Sequence, residues 1–232
     1  MNSKGNVEKK NNKKNKKKRS PFRFLLYDFV ILTGFLPVLI ALRPKLLYEN
    51  DKAKKRIRGG AIAIANHTSF VDPVAMFCAF WYRHVHSIVT EDLFRRKIFR
   101  WFFSHTLCIP VKRNDFNIDA FHRAVDVVEN GGLLSLFPEG GINFDSDKVD
   151  MKSFKSGAVL MALKGHVPIV PVRIIPQKKW YNRTVIVIGE KINPEELYSG
   201  MLNVHAMENI SQKLREKELE LKEIYEKWKA TK

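Results

Sequence analysis

Residues 59–82 read GGAIAIANHTSFVDPVAMFCAFWY. Ala61 to Ala65 form an unbroken apolar run after Gly59-Gly60, which suits a buried strand. Asp72 and Pro73 head the apolar stretch Val74 to Tyr82. An acidic N-cap and a proline in the first turn are start signals of a helix. The chain then repeats this strand-to-helix change. Strands are expected at 86–90, 107–111, 133–137, 167–175 and 184–189. Helices are expected at 93–103, 117–130, 156–165 and 201–229. The 117–130 helix carries Ile118, Phe121, Val125 and Val128 on one face and stops at Gly131-Gly132. The last helix shows the apolar stripe Ile210, Leu214, Leu221, Ile224 and Trp228. Residues 138–153 read as a polar loop. This alternation predicts an α/β fold, a single domain with a largely parallel sheet flanked by helices. An N-terminal membrane-associated helix precedes it.

The chain has 232 residues with 45% hydrophobic content, enough for a sizeable core and too apolar for global disorder. Two cysteines, Cys78 and Cys108, exclude a disulfide scaffold, and their spacing fits neither a zinc nor a redox site. The net charge of +17 is uneven. Residues 1–20 hold nine Lys/Arg against Glu8, and residues 21–58 hold eight against Asp28, Glu49 and Asp51. The remainder is close to balance. The basic excess is thus an N-terminal arm, able to attract a nucleic acid or an anionic membrane surface. Residues 1–20 read by composition as a disordered tail.

Phe24 to Leu42, FLLYDFVILTGFLPVLIAL, then favours the membrane. Nineteen helical residues reach about 28 Å, close to the hydrocarbon thickness of a bilayer. Gly34 and Pro37 predict a bend. Basic residues flank both ends, so both flanks prefer the cytoplasmic face, which a monotopic or re-entrant helix satisfies. Asp28 is expected near the interface. The long basic leader and the lack of a small-x-small site before Arg43 speak against a cleaved signal peptide. A buried core helix without lipid contact is the competing reading.

Four blocks could carry chemistry. Asn66-His67-Thr68-Ser69-Phe70-Val71-Asp72 follows the first strand, where open α/β sheets bind ligands. Five residues allow the Asp72 carboxylate to turn back onto the imidazole, fixing its tautomer and leaving one ring nitrogen as a base. A loop histidine and a plain helix cap remain the alternative. Phe137-Pro138-Glu139-Gly140-Gly141 follows another strand and permits close backbone approach, or simply a turn. Lys112-Arg113 at a strand end suits a phosphate, or is a solvated basic pair. Val167 to Val172 holds two prolines, which imply an edge strand or a bend. There is no Walker loop, GxGxxG or nucleophile elbow. With no serine or cysteine nucleophile at an obvious spacing, a base would act on a substrate hydroxyl.

In order and spacing these blocks resemble the glycerolipid acyltransferase family, which includes lysophosphatidate and glycerol-3-phosphate acyltransferases. The NHxxxxD block is similar to Asn66, His67 and Asp72, and FPEG to Phe137 through Gly140. The arginine-ended strand is similar to the strand before Arg113, and the proline block to Val167 through Val172. The resemblance covers roughly residues 40 to 190 and implies an acyltransferase domain over 46–200. The membrane helix then occupies 21–45, and an amphipathic helix 201–232. It implies transfer of a fatty acyl group from acyl-CoA or acyl carrier protein to the sn-2 hydroxyl of 1-acylglycerol 3-phosphate, giving phosphatidic acid for phospholipid biosynthesis. His67 would be the base and Asp72 its orienter. Lys112 and Arg113 would hold the acceptor phosphate, and Asn66, Glu139 and Gly140 would shape its site. No metal and no cofactor are implied beyond the acyl donor.

Relatives of the lysophosphatidate group commonly continue FPEG with Thr-Arg, where this chain has Gly141-Ile142. Lys148, Lys152 and Lys155 are the candidates to supply the missing cation. Glycerol 3-phosphate or another lysophospholipid stays open as acceptor. The implied partners are the bilayer, a lysophospholipid and the acyl donor, at the cytoplasmic face of the cell membrane, with no nucleic acid. The helix at 93–103 mixes basic and aromatic residues and offers a second membrane-facing surface, or core packing. The reading of another class is a membrane-tethered polyanion-binding protein without catalysis.

Overall fold

A computed structural model describes residues 21–95, 97, 100, 103, 106–112, 117–146, 149–176, 182–197 and 203–231. Helix α1 (Pro21–Leu42) leads into strand β1 (Lys45–Tyr48). Then come β2 (Ala61–Ala65), α2 (Asp72–Ala79), β3 (Val85–Thr90), a 3-10 turn (Glu91–Phe94) and β4 (Cys108–Val111). Helix α3 (Ile118–Glu129), β5 (Leu133–Leu136), α4 (Gly157–Gly165), β6 (Ile169–Ile175) and β7 (Val185–Ile188) follow. A 3-10 turn (Pro194–Leu197) precedes the final helix, α5 (Val204–Ala230).

The sheet order is β1-β7-β6-β2-β5-β3-β4, and every pairing is parallel except β6 with β7. The alternation in Ala61–Ala65 sorts the two faces. Ile62 and Ile64 pack with α3, α4 and the start of α5, beside Ala124, Val128, Leu134 and Leu214. Ala61, Ala63 and Ala65 face α2, where small side chains leave room for Met76 and Phe80. Both faces are covered, so every β2 position is apolar. Gly60 is required by the same closeness, since a Cβ there would lie 2.0 Å from the Val128 carbonyl oxygen.

One expectation is corrected, and one strand was not foreseen. β6 is not an edge strand: it lies between β7 and β2. Pro171 is tolerated because the β6–β7 register starts at Val172, and the Pro171 carbonyl accepts from Gly189 N–H at 2.8 Å, past the end of β7. Pro168 precedes the strand. Edge strand β1 was not expected; only its first residue, Lys45, fell within the expected 21–45 segment. KLLY is only four residues long and half-buried throughout, so it carries no alternation. Asp28 pairs with His84 Nε2 at 2.8 Å.

Helix α1 runs continuously through Pro37. Leu25, Phe29, Leu32, Leu36 and Ile40 are exposed along it. Its inner side is held by Tyr27, whose hydroxyl accepts from Val85 N–H at 3.1 Å. The step from α1 to β1 is short and clamped. Arg43 takes a left-handed φ of 44°. Thr184 N–H donates to the Leu42 carbonyl at 3.0 Å, and its carbonyl accepts from Lys45 N–H at 2.9 Å. Among the described residues, no helix is long and apolar enough to cross a membrane. Of the expected helix at 93–103, residues 96, 98, 99, 101 and 102 lie outside the described residues; Lys97, Arg100 and Phe103 are helical, and the 3-10 turn at Glu91–Phe94 opens the segment.

Candidate active site

His67 comes two residues after β2, Glu139 three residues after β5, and Lys112 directly after β4. These are carboxyl ends of parallel strands, where an open α/β sheet leaves a crevice. The sequence from Asn66 to Asp72 then folds back on itself. The Asp72 Oδ2 atom accepts from Thr68 N–H at 2.6 Å and Ser69 N–H at 2.8 Å, and lies 3.1 Å from His67 Nδ1. Asp72 is 2% exposed and His67 16%. A carboxylate only accepts, so the neutral imidazole keeps its proton on Nδ1 and turns the acceptor nitrogen, Nε2, away from Asp72.

Asp72 was expected at the helix N-cap. The cap is Val71, with no side-chain capping bond, and Asp72 occupies the first turn. Its carboxylate is committed to the loop and the imidazole instead. The His67 ring stacks on Phe137, with centroids 4.1 Å apart and planes at 19°. That contact fixes the ring plane from the second block.

Asn66 and Glu139 are buried behind the site and engage backbone. Asn66 joins β2 to β6 by a reciprocal pair: its Nδ2 donates to the Ile174 carbonyl at 3.0 Å, and Ile174 N–H donates to its Oδ1 at 2.7 Å. Glu139 accepts from His67 N–H at 2.9 Å and from Lys152 N–H at 2.9 Å, one on each oxygen. Asn143 N–H donates to the His67 carbonyl at 2.6 Å. Both backbone groups of His67 are thereby held by the loop after β5. The spacing of Glu139 did not disclose this role; a carboxylate beside a glycine at a strand end was its only signal.

Gly140 has φ of +74°, and a Cβ there would lie 2.7 Å from Lys155 Cε and 2.8 Å from Lys155 Nζ. Glycine is therefore what lets Lys155 reach across the turn. Lys152 instead turns its Nζ to the Ile142 carbonyl at 3.0 Å. Lys148 and Arg113 lie outside the described residues.

A cavity of about 740 Å³ opens beside His67. Lys112, Gly140 and Lys155 lie on its wall, and Val74, Phe77, Phe121, Leu136 and Met161 make most of the rest apolar. Tyr27, Gly34 and Val38 bring α1 into the same wall. Cys78 also lines it, and burial pushes its thiol up to about 11, so it is protonated and a poor nucleophile near neutral pH. Among the described residues no group of His, Cys, Asp and Glu could hold a metal ion.

An imidazole paired with a carboxylate stands at the strand ends of a parallel sheet and faces an apolar cavity, an arrangement able to take a proton from a group on an apolar molecule. The acyltransferase family model matches residues 45–175, and the chain belongs to that family. It is 28% identical over 116 residues to the chloroplastic 1-acyl-sn-glycerol-3-phosphate acyltransferase BAT2 of Brassica napus, covering 49% of this chain and 32% of that one. It is 29% identical over 140 residues to the 1-acyl-sn-glycerol-3-phosphate acyltransferase of Saccharomyces cerevisiae, covering 59% and 44%. The chain thus spans less than half the length of these curated relatives. Its fold is similar to the crystal structure of the 1-acyl-sn-glycerophosphate (LPA) acyltransferase PlsC from Thermotoga maritima. The TM-score is 0.60 at 21% identity, over 88% of this chain and 81% of that one.

Proposed function

We propose that this protein transfers a fatty acyl group from acyl-CoA or acyl carrier protein to the sn-2 hydroxyl of 1-acylglycerol 3-phosphate, giving phosphatidic acid. The observation that carries the reading is the His67–Asp72 pair at 3.1 Å on the wall of an apolar cavity. The free ring nitrogen of His67 takes the proton of the acceptor hydroxyl as its oxygen attacks the thioester carbonyl. The C–O bond forms, the tetrahedral intermediate collapses, and the C–S bond breaks. The imidazolium returns its proton to the departing thiolate, so no acyl-enzyme forms. Asp72 stabilises the transient imidazolium by its charge. The buried Cys78 thiol agrees with a route that uses no enzyme nucleophile.

The apolar wall takes an acyl chain, while Lys112 and Lys155 face the acceptor phosphate, joined by Arg113. Lys155 is the cation that stands in for the missing Thr-Arg. Asn66, Glu139 and Gly140 shape the acceptor site through the backbone they hold. Helix α1 lies in the cytoplasmic leaflet with Leu25, Phe29, Leu32, Leu36 and Ile40 among the lipids. A one-chain lipid then enters sideways, avoiding extraction at about 0.8 kcal/mol per CH₂.

The test uses the full chain with oleoyl-lysophosphatidate and either donor, reading free thiol and labelled product. Glycerol 3-phosphate and lysophosphatidylethanolamine serve as competing acceptors. Wild type should release thiol only with acceptor present, and His67→Ala should slow it at least about a hundredfold. A wild-type rate in His67→Ala would overturn the mechanism, and preference for another acceptor would reassign the substrate.

A further inference from the structure

Helix α5 turns Ile210, Leu214, Glu218 and Leu221 into the core. Arg215, half-buried beside that stripe, reaches across to the loop after β5. Its Nη2 donates to the Met151 carbonyl at 2.7 Å, and its Nε donates to the Lys152 carbonyl at 3.1 Å. Met151 itself is 0% exposed. Lys222 lies two turns further along the same face of α5. Its Nζ donates to Asp150 Oδ2 at 2.9 Å, and Asp150 also receives Arg173 from β6. The segment from Asp150 to Lys152 is therefore tied to the helix at two points.

The Met151 carbonyl and the Lys152 N–H belong to one planar peptide unit. That N–H donates to Glu139 Oε2 at 2.9 Å, and Glu139 Oε1 accepts from His67 N–H at 2.9 Å. An unbroken line of hydrogen bonds runs from the Arg215 guanidinium, through this peptide and the Glu139 carboxylate, to the residue that carries the imidazole. The cation sits on the carbonyl side of the peptide and the carboxylate on its N–H side. Each polarises the unit in the same sense and strengthens the bond on the other side. The second backbone group of His67 hangs from the same segment. Its carbonyl accepts from Asn143 N–H at 2.6 Å, and Asn143 Nδ2 donates to the Val149 carbonyl at 2.7 Å. We propose that Arg215 is a positioning residue for acyl transfer, fixing, through the Met151–Lys152 peptide, the Glu139 carboxylate that holds the His67 backbone.

Arginine suits this place by shape. Its planar fork meets two successive carbonyls at once, which a point-like ammonium does not. Without it the Met151 carbonyl loses its donor among the described residues, and the peptide is free to rotate. The Lys152 N–H then turns away from Glu139, or draws the carboxylate after it and the His67 N–H as well. A small displacement of a catalytic group costs rate steeply. Lys222 differs: its loss leaves Asp150 with Arg173, and it touches a side chain rather than the peptide that meets Glu139. Among the described residues, Arg215, Met151 and Lys152 are not on the cavity wall, so the effect falls on turnover and not on acceptor binding.

The inference rests on the acyl-transfer reading for its kinetics, so a readout that needs no substrate accompanies them. It is amide hydrogen exchange at His67 and Lys152, followed by NMR on the full chain. Arg215→Met keeps the apolar stem and removes the fork. With its fold checked by circular dichroism, it should lose about tenfold in kcat with acceptor KM within twofold. Both amides should exchange at least about tenfold faster than in wild type. Lys222→Met should keep kcat within twofold and leave both amides unchanged. Arg215→Lys keeps the charge on a single prong and should fall between, with both amides at least about twofold faster. Unchanged exchange at both amides in folded Arg215→Met would overturn the proposal, as would a wild-type kcat. So would a Lys222→Met as impaired as Arg215→Met, because α5 would then be a general anchor for the loop. Should Arg215→Met fail to fold, Arg215→Lys decides, and wild-type exchange at both of its amides would overturn the proposal. A wild type inactive with every acceptor would sink the acyl-transfer reading, while the amide exchange would still judge Arg215.

Discussion

Asp72 joins two tasks in one oxygen atom, and two substitutions separate them. Its Oδ2 receives two backbone N–H groups at 2.6 and 2.8 Å and the His67 Nδ1–H at 3.1 Å. A bond to a charged acceptor contributes about 1.5–3 kcal/mol, against roughly 0.5–1.5 for a neutral one. Asp72→Asn keeps an oxygen that can take the same donors but has no charge. It should lower stability by no more than about 1.5 kcal/mol, because the turn survives with weaker bonds. Asp72→Ala leaves Thr68 and Ser69 N–H unanswered in a half-buried loop and should cost about 2–4 kcal/mol. The rate should order the variants differently. Both lose the carboxylate opposite the developing imidazolium, so both should fall about 10²–10⁴-fold in acyl transfer. Urea unfolding gives the first quantity, and thiol release under saturating donor the second. An Asp72→Asn protein of near-native activity would show that the carboxylate only builds the turn.

Glu218→Gln should alter how stability depends on pH. The folded-state value of Glu218 lies well above the ordinary 4.5. Between those two values the unfolded chain releases a proton that the folded chain keeps, so wild type loses stability as pH rises. E218Q should gain on wild type by about 1.4 kcal/mol for each pH unit in that window. Parallel urea midpoints from pH 5 to 8 would contradict it. Lys155→Ala should raise acceptor KM about five- to tenfold, the ~1 kcal/mol of an exposed charge contact, and leave donor KM alone. Equal kinetics with phosphorylated and uncharged acceptors would rule out a phosphate contact. Leu32→Glu with Leu36→Glu should reduce sedimentation with anionic vesicles at least about tenfold, given roughly 1.5–3 kcal/mol per buried leucine. Undiminished sedimentation would remove α1 from the bilayer.

The sequence disclosed what local pattern encodes. Ala61–Ala65 and Leu133–Leu136 announced covered strands because both faces bury apolar side chains. Asn117 Oδ1 capping Ala120 N–H, at 3.0 Å, starts the α3 helix where the 3.6-residue pattern placed it. The turn-back of Asp72 was readable because five residues suffice to close the loop. Long-range facts were not. Lys45–Tyr48 becomes a strand only because β7 offers it an edge. Pro171 is permitted in an inner strand only because its neighbour ends there. Glu218 left a trace: it sits four residues after Leu214 and three before Leu221, where the stripe calls for an apolar side chain. Counting only apolar positions skipped it.

The clamp at Arg43 and Thr184 has a mechanical consequence. Two residues separate α1 from β1, and both sides of that step are tied to Thr184. There is no slack in which the sheet could swivel about that helix. If α1 beds in a bilayer, as proposed, the altitude and heading of the imidazole over the headgroups would be inherited from how deeply that helix lies. Lipid packing and curvature, which set that depth, would then act on turnover as directly as substrate supply does.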